Sequence, residues 1–302
     1  MAQGNRRWSW PKLAAIAAGA VVLVWLVVAA GNTLGRYMGW IPVRQDPATL
    51  SATLAPHYRI LRPAGDGPVP TALLFSGCDG PRDNLDRWAE MLNAQGWGAI
   101  VVDSHTPRGY DEFELWRLIC AGQLLMGSER AGDALVALSD ARQMDWVDPD
   151  RIVLIGASHG GWTIMELLAF ETSWRLPFNL AGLPDGISGE DPLAGVVGQI
   201  LLYPYCGLPN RARETGWRHP APTLFVLSAE DTIAPPQDCL AVADMLEAVG
   251  LPVEVVVYED TTHGFDQSER SPISPLEFNE TATEDALARG AAFLQTIVDD
   301  SD

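Results

Sequence analysis

The chain has 302 residues, 47 % of them hydrophobic and 20 % charged, a globular mixture that excludes wholesale disorder. That length accommodates one large α/β catalytic domain. The formal net charge is −19, and a surface that acidic repels phosphate backbones, which argues against a nucleic-acid partner.

Every acidic residue lies at Asp46 or beyond, and before Gly35 the only charges are Arg6, Arg7 and Lys12. Residues 13–35 are uncharged, and 13–30 are almost wholly apolar, including the run Val21-Val22-Leu23-Val24-Trp25-Leu26-Val27-Val28. A helix of about 20 such residues crosses a hydrocarbon core. Residues 1–38 are therefore expected to be a signal-anchor or transmembrane segment. Arg6, Arg7 and Lys12 keep its start cytoplasmic and send the remainder outward, while Trp8, Trp10, Tyr37 and Trp40 suit the two membrane interfaces. Two alternatives are a cleaved signal peptide ending near Val28-Ala29-Ala30 and a buried core helix. Signal h-regions of about 7–15 residues are shorter than this stretch, and flanking basic residues disfavour a core helix. The expected location is membrane-anchored with an extracytoplasmic catalytic domain, or secreted if the segment is cleaved.

Residues 39–56 read as a linker and 57–302 as the catalytic domain. Strands are expected at 57–61, 71–75, 98–103, 151–155, 198–203, 223–227 and 253–258. Helices are expected from 84 to Gly96 and at 113–126, 130–142, 159–171, 236–249 and 281–298. Continuous β-branched runs such as Ala99-Ile100-Val101-Val102 suit a parallel sheet covered on both faces. Gly96 and Gly250 supply helix stops, and Thr281 with Glu284 reads as a capping box. The alternation predicts a three-layer α/β sandwich. Residues 172–195, rich in Gly, Pro and Asp, form a short lid or a loop.

Cys78, Cys120, Cys206 and Cys239 permit disulfides in an exported domain, in any of three pairings. No CxxC spacing occurs, so no metal site is expected.

The motif Gly156-Ala157-Ser158-His159-Gly160 carries the chemistry. A G-x-S-x-G arises by composition in roughly one chain in ten of this length, so the motif alone is weak. Here it follows the apolar run Arg151-Ile152-Val153-Leu154-Ile155 and precedes a helical pattern, the strand–turn–helix of a nucleophile elbow. A serine hydroxyl needs a base, and the chain order is serine, acid, histidine. His263 follows the strand 253–258, whereas His219 precedes the strand 223–227 at the wrong sheet end. Asp231 follows 223–227 and is the expected acid. Glu230 points elsewhere, and Asp260 and Asp266 stand too close to His263 in sequence. The oxyanion donors are expected to be the backbone N–H of His159 and one from Ser76-Gly77-Cys78-Asp79-Gly80, with Cys78 preferred to Gly77. Trp88, Trp97, Trp116, Trp162 and Trp174 line a pocket or, for most of them, pack the core.

Gly77-Cys78-Asp79-Gly80, Val101-Val102-Asp103-Ser104, Arg130 with Asp133, the run from Arg151 through Gly161, Tyr203-Pro204-Tyr205-Cys206, Ala229-Glu230-Asp231 and Thr262-His263-Gly264-Phe265 together resemble the dienelactone hydrolase family. The likeness spans about residues 57–298. It implies an α/β-hydrolase fold: a mostly parallel central sheet with helices on both faces. It also implies a monomer that hydrolyses small carboxylic esters without a cofactor. Archetypal members use a cysteine nucleophile and this chain has Ser158, which points to a serine-esterase branch. Many relatives begin the oxyanion loop with His-Gly, where this chain has Ser76-Gly77. A serine peptidase or acyltransferase on the same fold, or a catalytically silent membrane-tethered binding protein, are the alternatives. In such a fold Cys78 pairs with Cys120 and Cys206 with Cys239, since each pair falls on neighbouring segments.

Overall fold

The β-branched runs do become strands: Arg59–Leu61 (β1), Val69–Phe75 (β2), Gly98–Val102 (β3), Val147–Ala157 (β4), Val196–Leu202 (β5), Thr223–Ser228 (β6) and Val253–Tyr258 (β7). They are seen in a computed structural model that describes residues 10–41, 44–173, 176–270 and 274–299. The strands form one sheet in the order β1-β3-β2-β4-β5-β6-β7. β1 pairs antiparallel with β3, and every other pairing is parallel.

Alternation along the strands explains the layers. Leu73, Phe75, Ile100, Val102, Ile152, Leu154, Leu201 and Phe225 point to one face, where they meet the helices α2 (Pro47–Leu54), α5 (Gly127–Arg142), α6 (His159–Ser173) and α8 (Pro236–Ala248). Ala72, Leu74, Ala99, Val101, Val153, Ile155 and Leu224 point to the other, against α3 (Asp83–Ala94) and α9 (Glu280–Asp299). Strands buried on both faces need apolar residues at every position, which is why they read as continuous runs. The arrangement is an α/β-hydrolase fold.

The chain divides into two units, Met1–Pro42 and Val43–Asp302. The first contains α1 (Trp10–Tyr37), 28 residues long, with a mean hydropathy of 2.7 over its most apolar window and none of that window buried. Its length and composition suffice to cross a membrane. Arg6, Arg7 and Trp8, expected to flank it, lie outside the described residues.

Three sequence expectations differ from what is observed. The stretch 39–56, expected as a linker, holds α2, whose Leu50 and Leu54 are fully buried in the core. Asp46 caps this helix by accepting from Thr49 N–H, and Ser51 Oγ–H donates to Asp140 on α5. The helix expected at 113–126 is broken into a short turn, α4 (Glu112–Glu114), a wider π turn at Leu115–Ile119, and an irregular stretch where Gly122 and Leu125 take φ +64° and +46°. Helix α9 starts at Glu280, one residue before the expected cap, and Asn279 Oδ1 rather than Thr281 accepts from the helix N–H of Ala282. Residues 176–195 form a packed loop, with Leu180 and Leu193 buried and Ser139 Oγ–H on α5 donating to the Asp185 carbonyl. Residues Ala212–Thr215 add one short helix, α7, between β5 and β6.

Candidate active site

Ser158 sits between the end of β4 and the start of α6 at φ +51°, a left-handed conformation that costs a non-glycine residue on the order of 1 kcal/mol or more. The surroundings hold it there. Its N–H donates to the Leu202 carbonyl at 2.8 Å, and its own carbonyl accepts from Trp162 N–H and Tyr205 N–H. The flanking glycines are required by close approach. A Cβ on Gly156 would stand 2.5 Å from the Gly160 backbone, and one on Gly160 would stand 2.1 Å from the Phe75 carbonyl oxygen. The start of α6 is thereby pressed against the end of β2 and the loop that follows it.

His263 lies in the loop after β7 and is 6 % exposed. Its Nε2 is 2.7 Å from Ser158 Oγ, and its Nδ1 is 2.6 Å from Asp231 Oδ2. Asp231 follows β6, where its Oδ1 accepts from the N–H groups of Ile233 and Ala234 at 2.8 and 2.7 Å. An ionised carboxylate only accepts, so Nδ1 carries the imidazole proton and Nε2 accepts from the serine hydroxyl. The Tyr203 ring packs edge-on against His263, with centroids 5.0 Å apart. Asp266 is only three residues from His263, yet its carboxylate accepts from Trp88 Nε1–H at 2.9 Å and Tyr203 O–H at 2.5 Å. Burial raises the Asp266 carboxyl above its ordinary range, against the pull of those donors.

The loop after β2 passes beside the serine: a Cβ on Gly77 would lie 3.8 Å from Ser158 Cβ. Cys78, the next residue, is bonded to Cys120, with Cα atoms 5.0 Å apart. Leu115, Ile119 and Leu125 form a small apolar cluster against which Cys78 and Tyr110 pack. The second disulfide, Cys206–Cys239, joins the segment after β5 to α8, with Cα atoms 5.2 Å apart and both residues 1 % exposed.

The expected aromatics divide. Trp88 and Trp97 belong to the core, and Trp116 is half-buried. Trp162 packs between His159 and Tyr205 and donates from Nε1–H to Glu166. Trp174 lies outside the described residues.

Two buried groups beside the serine have no assigned role in the sequence reading. Tyr203 supports the histidine. Arg130, fully buried on α5, donates from Nη1 to the Ser76 carbonyl at 2.7 Å and to His159 Nδ1 at 3.2 Å. The sequence of α5, which also holds Ser128, Glu129, Asp133, Ser139, Asp140 and Arg142, gives no sign that Arg130 is buried.

Residues 191–298 match the model of the dienelactone hydrolase family. The resemblance carried by the sequence motifs is thus borne out by an independent comparison. A putative dienelactone hydrolase from Klebsiella pneumoniae subsp. pneumoniae MGH 78578 has a similar structure, with a TM-score of 0.58 and 19 % identity, over 79 % of this chain and 92 % of that one. Thermogutta terrifontis esterase 2, in a structure phosphorylated by paraoxon, gives a TM-score of 0.60 at 19 % identity over 80 % of this chain and 88 % of that one. At such identities the likeness is one of fold. By sequence the chain is similar to acylamino-acid-releasing enzyme 1 of Oryza sativa subsp. japonica, 25 % identical over 197 residues, which is 59 % of this chain. It spans only 25 % of that relative's length.

Proposed function

We propose that this chain is a serine carboxylic-ester hydrolase that works through an acyl-enzyme, with Ser158 as nucleophile, His263 as general base and acid, and Asp231 as the orienting carboxylate. The observation that carries the reading is the unbroken relay Ser158–His263–Asp231, at 2.7 and 2.6 Å, on a serine held at positive φ.

In the first step Ser158 Oγ bonds to the ester carbonyl carbon, its proton passes to His263 Nε2, and the carbonyl π pair moves onto oxygen. The backbone N–H groups of Cys78 and His159 receive that oxyanion. The positive end of α6 favours the same charge. Collapse re-forms the carbonyl and breaks the bond to the alkoxy group, which leaves as an alcohol with the proton from His263. Water then gives a proton to His263 Nε2 and attacks the acyl carbon. Collapse of this second intermediate returns the proton to Ser158 and frees the acid. Asp231 keeps the imidazole in the required tautomer and stabilises the imidazolium.

The reading includes a location. The helix α1 anchors the chain in a membrane with the hydrolase on the extracytoplasmic side. Two disulfides support this, because such bonds persist in oxidising compartments. The enzyme acts there as a monomer on small-molecule esters and needs no cofactor.

The likeness to an acylamino-acid-releasing enzyme favours one second reading, cleavage of an N-acylated peptide by the same triad. Detergent-solubilised full-length protein, assayed on p-nitrophenyl esters and on an N-acetyl-amino-acid p-nitroanilide, separates the two. Ester turnover abolished by Ser158→Ala is expected, with a loss on the order of 10⁴–10⁶ in kcat. Anilide turnover above ester turnover would favour the peptidase, and wild-type-like rates in Ser158→Ala would remove the nucleophile assignment.

A further inference from the structure

Arg130 is 0 % exposed, yet among the described residues no carboxylate stands at ion-pair distance from it. Its partners are all neutral. Nε–H donates to Ser104 Oγ at 3.0 Å, Nη2–H to Ser76 Oγ at 3.1 Å, and Nη1–H to the Ser76 carbonyl and to His159 Nδ1. Burial, then the guanidinium itself, holds the His159 imidazole well below its ordinary range, and the same two causes act on the buried His105. Both rings are therefore neutral near pH 7.

The nearest carboxylates are occupied. Asp133 accepts a two-pronged pair from Arg108 at 2.9 Å and a further bond from Asn179. Asp103 Oδ1 accepts from the N–H groups of His105 and Thr106. Burial, with a smaller push from the neighbouring Arg108 cation, lowers the Arg130 guanidinium to about 10, offset in part by Asp133 and Asp103, so it remains charged at neutral pH.

A strut between Ser76 and His159 needs hydrogen-bond donors but no charge. A neutral side chain would serve without the desolvation penalty of a buried ion. The position of the charge supplies the missing reason. Ser76 is the root of the loop that carries Cys78, and His159 is the first residue of α6. These two segments bear the backbone N–H groups proposed to bind the oxyanion. In a dry environment a fixed positive charge behind them strengthens with every step toward the negatively charged intermediate.

We infer that Arg130 is a positioning residue for the oxyanion hole: it ties Ser76 to His159, and its buried charge stabilises the tetrahedral intermediate through the Cys78 and His159 N–H groups. The inference rests on the ester-hydrolase reading above.

The test compares full-length wild type, Arg130→Met and Arg130→Lys in detergent, using p-nitrophenyl acetate, with thermal melts as the folding control. Arg130→Met is expected to lose on the order of 10²-fold in kcat, comparable with removal of one oxyanion donor, with KM within about threefold. Arg130→Lys keeps the charge and is expected to stay within about tenfold of wild type near pH 7. Burial in the same dry site holds a lysine below its ordinary range, so this variant should gain an alkaline limb at lower pH than wild type, its kcat falling as the ammonium deprotonates. Wild type should show no such limb there. A folded Arg130→Met with wild-type kcat, or an Arg130→Lys profile with the wild-type shape, overturns the inference while leaving the hydrolase reading intact. If Arg130→Met does not fold, the lysine profile decides alone. A wild type that hydrolyses no ester overturns both.

Discussion

Asp231 Oδ2 stands 2.6 Å from His263 Nδ1 across 32 positions of sequence, while Asp266, a near neighbour of the histidine, is turned toward Trp88 and Tyr203. The two carboxylates therefore make opposite predictions. Asp231→Asn should leave the fold intact and lower kcat by about 10⁴, because the amide favours the wrong imidazole tautomer. Asp266→Ala should act on stability, since it leaves a buried indole N–H and a buried phenol without their acceptor. Each such group costs about 1–3 kcal/mol. The melting temperature should fall by roughly 5–15 °C. Melts and ester kinetics on both variants check the pair. Equal loss of kcat in a folded Asp266→Ala would contradict the division.

The two disulfides should respond differently to reductant. Cys206 and Cys239 are each 1 % exposed within the core, whereas Cys78 and Cys120 are only partly buried. Mild reduction should open Cys78–Cys120 first. It spans 42 residues, so its closure stabilises the fold by about 4 kcal/mol on the chain-entropy model. Cys120→Ser should then lower kcat before unfolding is detectable, because the loop bearing Cys78 is released from the Leu115–Ile119 turn. Cys206→Ser should mainly lower the melting temperature. Stopped kinetics during a dithiothreitol titration, with peptide mapping of the alkylated thiols, report the order.

The full chain should partition into membranes, and a chain starting at Gly39 should not. Carbonate extraction followed by N-terminal sequencing checks this. An intact N-terminus in the membrane pellet supports the anchor. A mature terminus near Gly31 would instead show a cleaved signal.

What the sequence made legible follows from what each residue has to satisfy. A strand buried on both faces must be apolar throughout, so Ala99 to Val102 could be read directly, whereas the edge run Val253 to Val257 is half-exposed, carries Glu254, and was legible through its β-branched residues. Chain order singled out Ser158, Asp231 and His263, whose side chains the fold brings within hydrogen-bond reach of one another, because a parallel sheet delivers successive loops to the same edge. Short features were harder. Helix α2 has eight residues, too few for a periodic signal, and its evidence is the tertiary burial of Leu50 and Leu54. Asn279, Thr281 and Thr283 can all cap a helix, and only packing against Phe265, whose carbonyl accepts from Asn279 N–H, selects the first. The break after Leu115–Ile119 depends on backbone angles at Gly122 and Leu125 that local propensity does not encode. Arg130 was visible only as one member of a family-like pattern, since its partners Ser76, Ser104 and His159 come from three distant segments.

The central claim is that Ser158 is an activated nucleophile. Labelling of the full-length protein with a fluorophosphonate, followed by peptide mass spectrometry, tests it most directly, because the reagent bonds to a serine only when a neighbouring base removes its proton. The account predicts a single adduct on the peptide containing Ser158, lost in His263→Ala. Absence of any adduct, or an adduct on another serine, would contradict it.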